Sequence, residues 1–134
     1  MAIQLSTSLR TARSATIESH IGTGAILRGF TGAQPANVAA ANSGTELVTI
    51  TLPTDWASQA SGVLSLSGDW SDVGIAAGDI GHWRIYASDG TTCHMQGSAT
   101  AEGGGGDMEI GGDGHIEIDD VVTVVTFDLT EANA

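Results

Sequence analysis

From Gly81 to Leu129 the apolar residues of this chain fall on alternate positions, and glycine interrupts them at short intervals. Trp83, Ile85 and Ala87 alternate. So do Cys93 and Met95, Met108 and Ile110, Ile116 and Ile118, and Val125, Phe127 and Leu129. A period of two places one set of side chains on one face of an extended strand and leaves the other face to water. This half of the chain therefore predicts β-ribbons that present a surface, and no reaction centre is legible in it. The chain has 134 residues, enough for one domain with a real core. Aromatic residues are few, so that core must rest mainly on Ile, Leu, Val and Ala. The 19 glycines suit a turn-rich β architecture.

The expected organisation is an N-terminal helix or arm over residues 1–24 and a β-sandwich domain over 25–134. The helix is placed at 6–21, with Ser6 or Thr7 as its cap and Gly22 as a left-handed C-terminal stop. Leu5, Leu9 and Ala12 share a face, widened by Ile17 and Ile21, with Arg10 and Arg13 beside it. Strands are expected at 25–31, with Ile26, Arg28 and Phe30 alternating, at 46–52 up to Pro53, and at 62–67. Residues 32–45 form a loop long enough to be mobile or to bind something. Trp56 falls in an irregular or single-turn helical stretch, and Trp70 in a loop with a possible edge strand.

Two hairpin registers can be argued. A three-residue loop, Ser88-Asp89-Gly90, sets Ile85 opposite Cys93 and Trp83 opposite Met95, which keeps one face apolar. The same logic at Gly112-Asp113-Gly114 sets Ile110 opposite Ile116 and Met108 opposite Ile118. The final strand, about 121–129, is the richest in β-branched residues and should be central. The total is about eight strands and one leading helix. Regular turn signals without βαβ spacing predict a mainly all-β fold, an antiparallel β-sandwich with jelly-roll-like topology.

Charge limits the partners. There are 16 acidic residues against four arginines, no lysine, and a formal net charge of −12. Seven carboxylates lie from Glu102 to Asp120, and no basic residue other than histidine follows Arg84. Such a domain is repelled by phosphate backbones and anionic bilayers, so neither nucleic acid nor membrane is an expected partner. Cys93 has no second cysteine to bridge and reads as a small buried apolar residue. No secretory apolar core and no membrane-length apolar run is present, which predicts a chain made and assembled in a cytoplasm.

The motifs for chemistry are weak. The Gly103–Gly106 run with Asp107, Asp113, Glu117, Asp119 and Asp120 is rich in oxygen, as calcium requires, but has neither EF-hand nor repeated nonapeptide spacing. His20, His82, His94 and His115 show no zinc-motif spacing; His82 and His94 are expected to face each other across a hairpin near Arg84. No nucleophile elbow and no phosphate-cradling glycine loop before a helix is found. No catalytic residue, cofactor or metal site is therefore assigned. Trp83 fits a core face. Trp56 and Trp70 sit among polar residues and read as surface or interface positions, with sugar stacking as the alternative use.

Several segments resemble small virion-associated proteins of tailed bacteriophages. They include Ile3-Gln4-Leu5-Ser6-Thr7 with Leu9-Arg10 and Arg13, Ile17-Glu18 and Ile21-Gly22, and Thr31-Gly32-Ala33-Gln34-Pro35-Ala36-Asn37. Further matches are Ile50-Thr51-Leu52-Pro53-Thr54-Asp55-Trp56, Leu66-Ser67-Gly68-Asp69-Trp70-Ser71-Asp72, Gly81-His82-Trp83-Arg84-Ile85-Tyr86 and Gly90-Thr91-Thr92-Cys93-His94-Met95-Gln96-Gly97. The resemblance covers most of the chain and implies a structural component of the virion, assembled in the host cytoplasm. Within it a capsid decoration or cement protein comes first, and a neck, tail or fibre-associated protein second. Implied partners are the major capsid protein or other virion proteins, and further copies of the chain, with a trimer favoured. The candidate partner interface comprises Leu5, Leu9, Arg10, Arg13, Arg28, Trp56 and Trp70, with the arginine-bearing N-terminal segment docking onto an acidic neighbour. A glycan-binding module using Trp56 and Trp70 is the alternative from another class.

Overall fold

The computed structural model describes residues 3–130. Helix α1 spans Thr7–Ile21, and Ser6 caps it by accepting a hydrogen bond from the Leu9 amide at 3.2 Å. Gly22 ends it: its N–H donates to the Glu18 carbonyl, and its φ of +87° is a value that side-chained residues avoid. Its ψ of −175° is extended, so the stop is not the left-handed helical one expected.

Ten strands follow: β1 Ile26–Thr31, β2 Glu46–Thr51, β3 Ala57–Ala60, β4 Val63–Leu66, β5 Ser71–Val73, β6 Gly78–Tyr86, β7 Cys93–Ala101, β8 Met108–Ile110, β9 His115–Ile116 and β10 Val121–Thr130. They pair in the order β2-β1-β6-β7-β8-β10-β4-β3, with β5 on β10 and β9 on β6. The mostly-β body behind one helix is as the alternation predicts. The path is a curled mixed sheet, a half-barrel. All its pairs are antiparallel except β7–β8, which is parallel. Leu27, Ile50 and Trp83 from one half meet Met108, Ile110, Val122 and Val124 from the other across a shared core.

The parallel pair explains the glycine run. Residues 102–107 carry the chain from the end of β7 back beside Ala99, a shorter return than parallel neighbours ordinarily allow. A Cβ on Gly104 would lie 2.7 Å from Thr100, and one on Gly106 would lie 2.9 Å from the Thr100 nitrogen. The run is therefore a tight reversal.

Bulges correct the expected registers. At the β6–β7 hairpin Ala87 donates to the Thr92 carbonyl and Tyr86 lies opposite Cys93. A shift between Ile85 and Tyr86 then sets Ile85 opposite Met95 and Trp83 opposite Gly97. A four-residue connection plus a bulge thus achieves the apolar matching assigned to a three-residue loop, with different partners. The second expected hairpin does not form: Met108–Ile110 pairs with β7 and β10, while His115–Ile116 pairs with Gly78 and Asp79 of β6. Strand β10 is central, taking β8, β5 and β4 as partners. A shift between Val124 and Thr126 turns Val122, Val124 and Phe127 inward and leaves Val125 exposed; Ile118, in the turn before β10, is exposed as well.

The 32–45 loop is neither loose nor empty-handed. In β1 it is Leu27 that faces the core, and Phe30 is buried on the opposite face, stacked on the His82 ring at 5.0 Å. The loop covers that face. Buried Arg84 donates to the carbonyls of Val38 at 2.8 Å, Ala40 at 3.0 Å and Asn37 at 3.4 Å, and to Asn42 Oδ1. Gln96 donates to the Pro35 carbonyl, and His82 Nδ1 meets the Gly32 carbonyl. A guanidinium has enough donors to satisfy several carbonyls at once, which suits a single side chain to pinning a loop.

Candidate interaction surface

Helix α1 docks on the β3–β4 hairpin through polar groups. Ser14 is its most buried residue, with Oγ 3.4 Å from the Gly62 carbonyl, while Thr11 Oγ1 accepts from the Gly62 amide at 2.9 Å. Glu18 accepts from the Ala57 amide at 3.1 Å and from Gln59 Nε2 at 2.8 Å. The docked stripe is thus Arg10, Ser14, Ile17, Glu18 and Ile21, at helical spacing. The predicted Leu5–Leu9–Ala12 face is turned away: Leu5 is half-buried, and Leu9 and Ala12 are exposed.

The expected interface residues separate into four places. Leu9 and Arg13 lie on the outward side of α1. Arg10 is half-buried, and its side chain lies against Gly62, whose added Cβ would come within 3.0 Å of it. Arg28 belongs elsewhere: it pairs with Glu46 at 3.3 Å, donates to the Gly90 carbonyl at 2.9 Å, and lies 4.8 Å from the Tyr86 ring centre. With Tyr86, Asn42, Thr92 and Cys93 it borders a hollow of about 580 Å³ beneath the 32–45 loop. Cys93 is half-buried there, more open than expected.

Trp56 and Trp70 are not at the surface. Both are buried, with ring centres 6.0 Å apart, and Trp70 continues to Phe127 and Trp83. Their indole N–H groups donate to the carbonyls of Gly22, and of Trp56 and Ser67, which lets large polar-tipped rings sit in a core. A sugar-stacking platform built on them has no exposed ring to offer.

The histidines part company as well. His82 lies opposite Ser98, and His94 meets His20 edge-to-face at 5.1 Å. These two, with Arg13, Ile17, Ile21 and Met95, line a groove of about 390 Å³ between α1 and β7. His115 is bridged on both ring nitrogens, to Asp79 at 2.7 Å and to Glu117 at 2.8 Å. The hydrogen bond to Asp79, then that to Glu117, raises its pKa to about 9. Among the described residues no cluster of three or more His, Cys, Asp or Glu is arranged to hold a metal ion. No described helix is long and apolar enough to cross a membrane.

One surface feature escaped the alternation argument. Val73, Ile75, Ile118 and Val121 are exposed apolar residues around the start of β10. The available signal was an isoleucine and a valine flanking the Asp119-Asp120 pair, where a turn would ordinarily be polar. No protein-family model matches the chain, nor does any curated protein or any solved structure.

Proposed function

We propose that this protein is a structural component of a bacteriophage virion, a capsid decoration or cement protein that stabilises a shell by bridging its subunits. The observation that carries the reading is the placement of α1: polar contacts fix it to the sheet and turn Leu9 and Arg13 outward. An apolar and cationic stripe on a rigid support suits adhesion to an acidic protein neighbour. The surplus negative charge suits the outside of a particle, away from packaged nucleic acid. The resemblance of its sequence segments to phage virion proteins supports the same assignment. The finer architecture belongs to this reading too: the two halves of the curled sheet act as the layers of a jelly-roll-like sandwich, the rigid block such an adhesive needs.

Quantitative mass spectrometry of purified particles tests it. Shell decoration predicts on the order of hundreds of copies per particle, whereas a neck, tail or fibre position predicts about six or twelve. Absence of the chain from particles overturns the virion reading altogether.

A further inference from the structure

The hollow beneath the 32–45 loop holds more positive charge than its surroundings neutralise. Arg28 of β1 and Arg84 of β6 stand directly opposite each other in the antiparallel ladder. Like charges so placed repel. Their guanidinium carbons lie 4.8 Å and 5.9 Å from the centre of the same ring, that of Tyr86. Glu46, 3.3 Å from Arg28 Nε, is the single carboxylate paired with either of them among the described residues. Two cations therefore share one anion, and Arg84, 1% exposed, carries its charge out of water. Loop carbonyls satisfy its hydrogen bonds but bring no countercharge, and a buried charge is costly until it is paired.

Donors are left over as well. Arg84 Nε is buried and no group accepts from it. Arg28 Nη1 donates to the Gly90 carbonyl, while Nη2 has no acceptor. A Cβ on Gly90 would lie 3.2 Å from that Nη2, and Gly90 itself lines the hollow. Asn42 Oδ1 accepts from both Arg84 Nη1 and the Tyr86 hydroxyl. Those two donors fix the orientation of the amide and leave Asn42 Nδ2 without an acceptor.

The lining suits an anion with a short apolar tail. The chain has 16 acidic residues, yet none of them lines this hollow. Its volume of about 580 Å³ exceeds what a bare ion fills. Val38 and the three alanines after it put methyl groups beside the two arginines. One outstanding positive charge calls for a monoanion, and a phosphate group close to a dianion would overshoot it.

We propose that this hollow binds a small aliphatic carboxylate. The carboxylate takes Arg28 Nη2 and Asn42 Nδ2 as donors and supplies the countercharge that Arg84 lacks. The alkyl tail lies against Val38 and the alanines of the loop. Because Arg84 also pins the loop, an anion beside it holds residues 32–45 more firmly on the sheet. The site does not rest on the virion reading and needs no second protein.

Sodium butyrate tests the site in the full chain, with neutral butyramide and sodium chloride of equal ionic strength as controls. Butyrate binds by calorimetry with a Kd of about 1 mM, as befits so small a ligand. It raises the melting temperature above that in chloride. It also slows alkylation of Cys93 by uncharged iodoacetamide, because that single cysteine is half-buried in the lining of the hollow. Butyramide does none of these. Asn42→Asp puts a carboxylate where the Arg84 and Tyr86 donors already converge. It therefore raises the melting temperature without ligand and abolishes butyrate binding. Arg28→Met weakens butyrate by about tenfold or more, and Asn42→Asp carries the test should that variant fail to fold by circular dichroism. Butyrate that acts no differently from chloride on melting and on Cys93 overturns the proposal, as does binding undiminished in Asn42→Asp. Inorganic phosphate binding more tightly than butyrate overturns the choice of a carboxylate.

Discussion

Arg84 holds the 32–45 loop on the sheet, and it does so with no carboxylate partner among the described residues. Truncating it to Met leaves the carbonyls of Val38 and Ala40 without donors, and Asn42 with the Tyr86 hydroxyl alone. Arg84→Met should therefore destabilise the fold by about 2–4 kcal/mol in urea unfolding, with faster amide exchange confined first to residues 32–45. Nothing near the loop in sequence announces this. The anchoring residue lies more than forty positions further on, and a buried arginine cannot be told from an exposed one by alternation alone. His115 is a second residue whose role depends on distant partners. Its pKa of about 9 lies above the ordinary 6.5. The bridge to Asp79 and Glu117 therefore contributes fully below about pH 6.5 and is lost as pH rises through about 9. Asp79→Asn removes the larger cause, and an NMR titration of the His115 ring should show its midpoint moving down toward the ordinary value.

The elements were legible where one face is apolar and the period stays constant. The span of α1, its Ser6 cap and its Gly22 stop follow from local chemistry, as do β1, β2, β4 and the central place of β10. Strand β3 was not legible, because Ser58 and Gln59 give it no apolar alternation and its edge amide is satisfied by Glu18 of the helix. The face on which α1 docks was missed for the same reason: Ser14 and Thr11 bury polar atoms against Gly62, and no hydrophobic stripe marks them. Gly62 has φ +78° and sits under Arg10, so Gly62→Ala should cost about 1–3 kcal/mol and loosen α1, measured by thermal unfolding. Bulges hid the phase of the longer strands. Val125 reads as core by counting in twos, yet the shift after Val124 exposes it. Val125→Thr should change stability by less than about 0.5 kcal/mol, whereas Val124→Ala should cost about 1–3 kcal/mol. Equal effects at the two positions would refute the observed register.

For the whole molecule, a net charge of −12 on one small domain sets repulsion against compactness. At protein concentrations low enough to keep copies apart, raising NaCl from about 20 mM to about 500 mM should raise the melting temperature, because screening relieves that repulsion. A fall would mean that the few ion pairs outweigh it. The charge balance was fully legible in the sequence, and it is the part of the functional argument that needs no coordinates. The groove between α1 and β7 was not legible, since it joins residues from distant segments of the chain. Strand β10 has one further effect, on timing. It joins ladders begun some sixty residues earlier, as in Asp128 beside Ser65, and it is synthesised after every strand it pairs with. Until it emerges, β4, β5 and β8 wait with open edges. Closure of this sheet therefore waits for β10 and is slow, and nascent chains stalled before Val121 will be prone to clump.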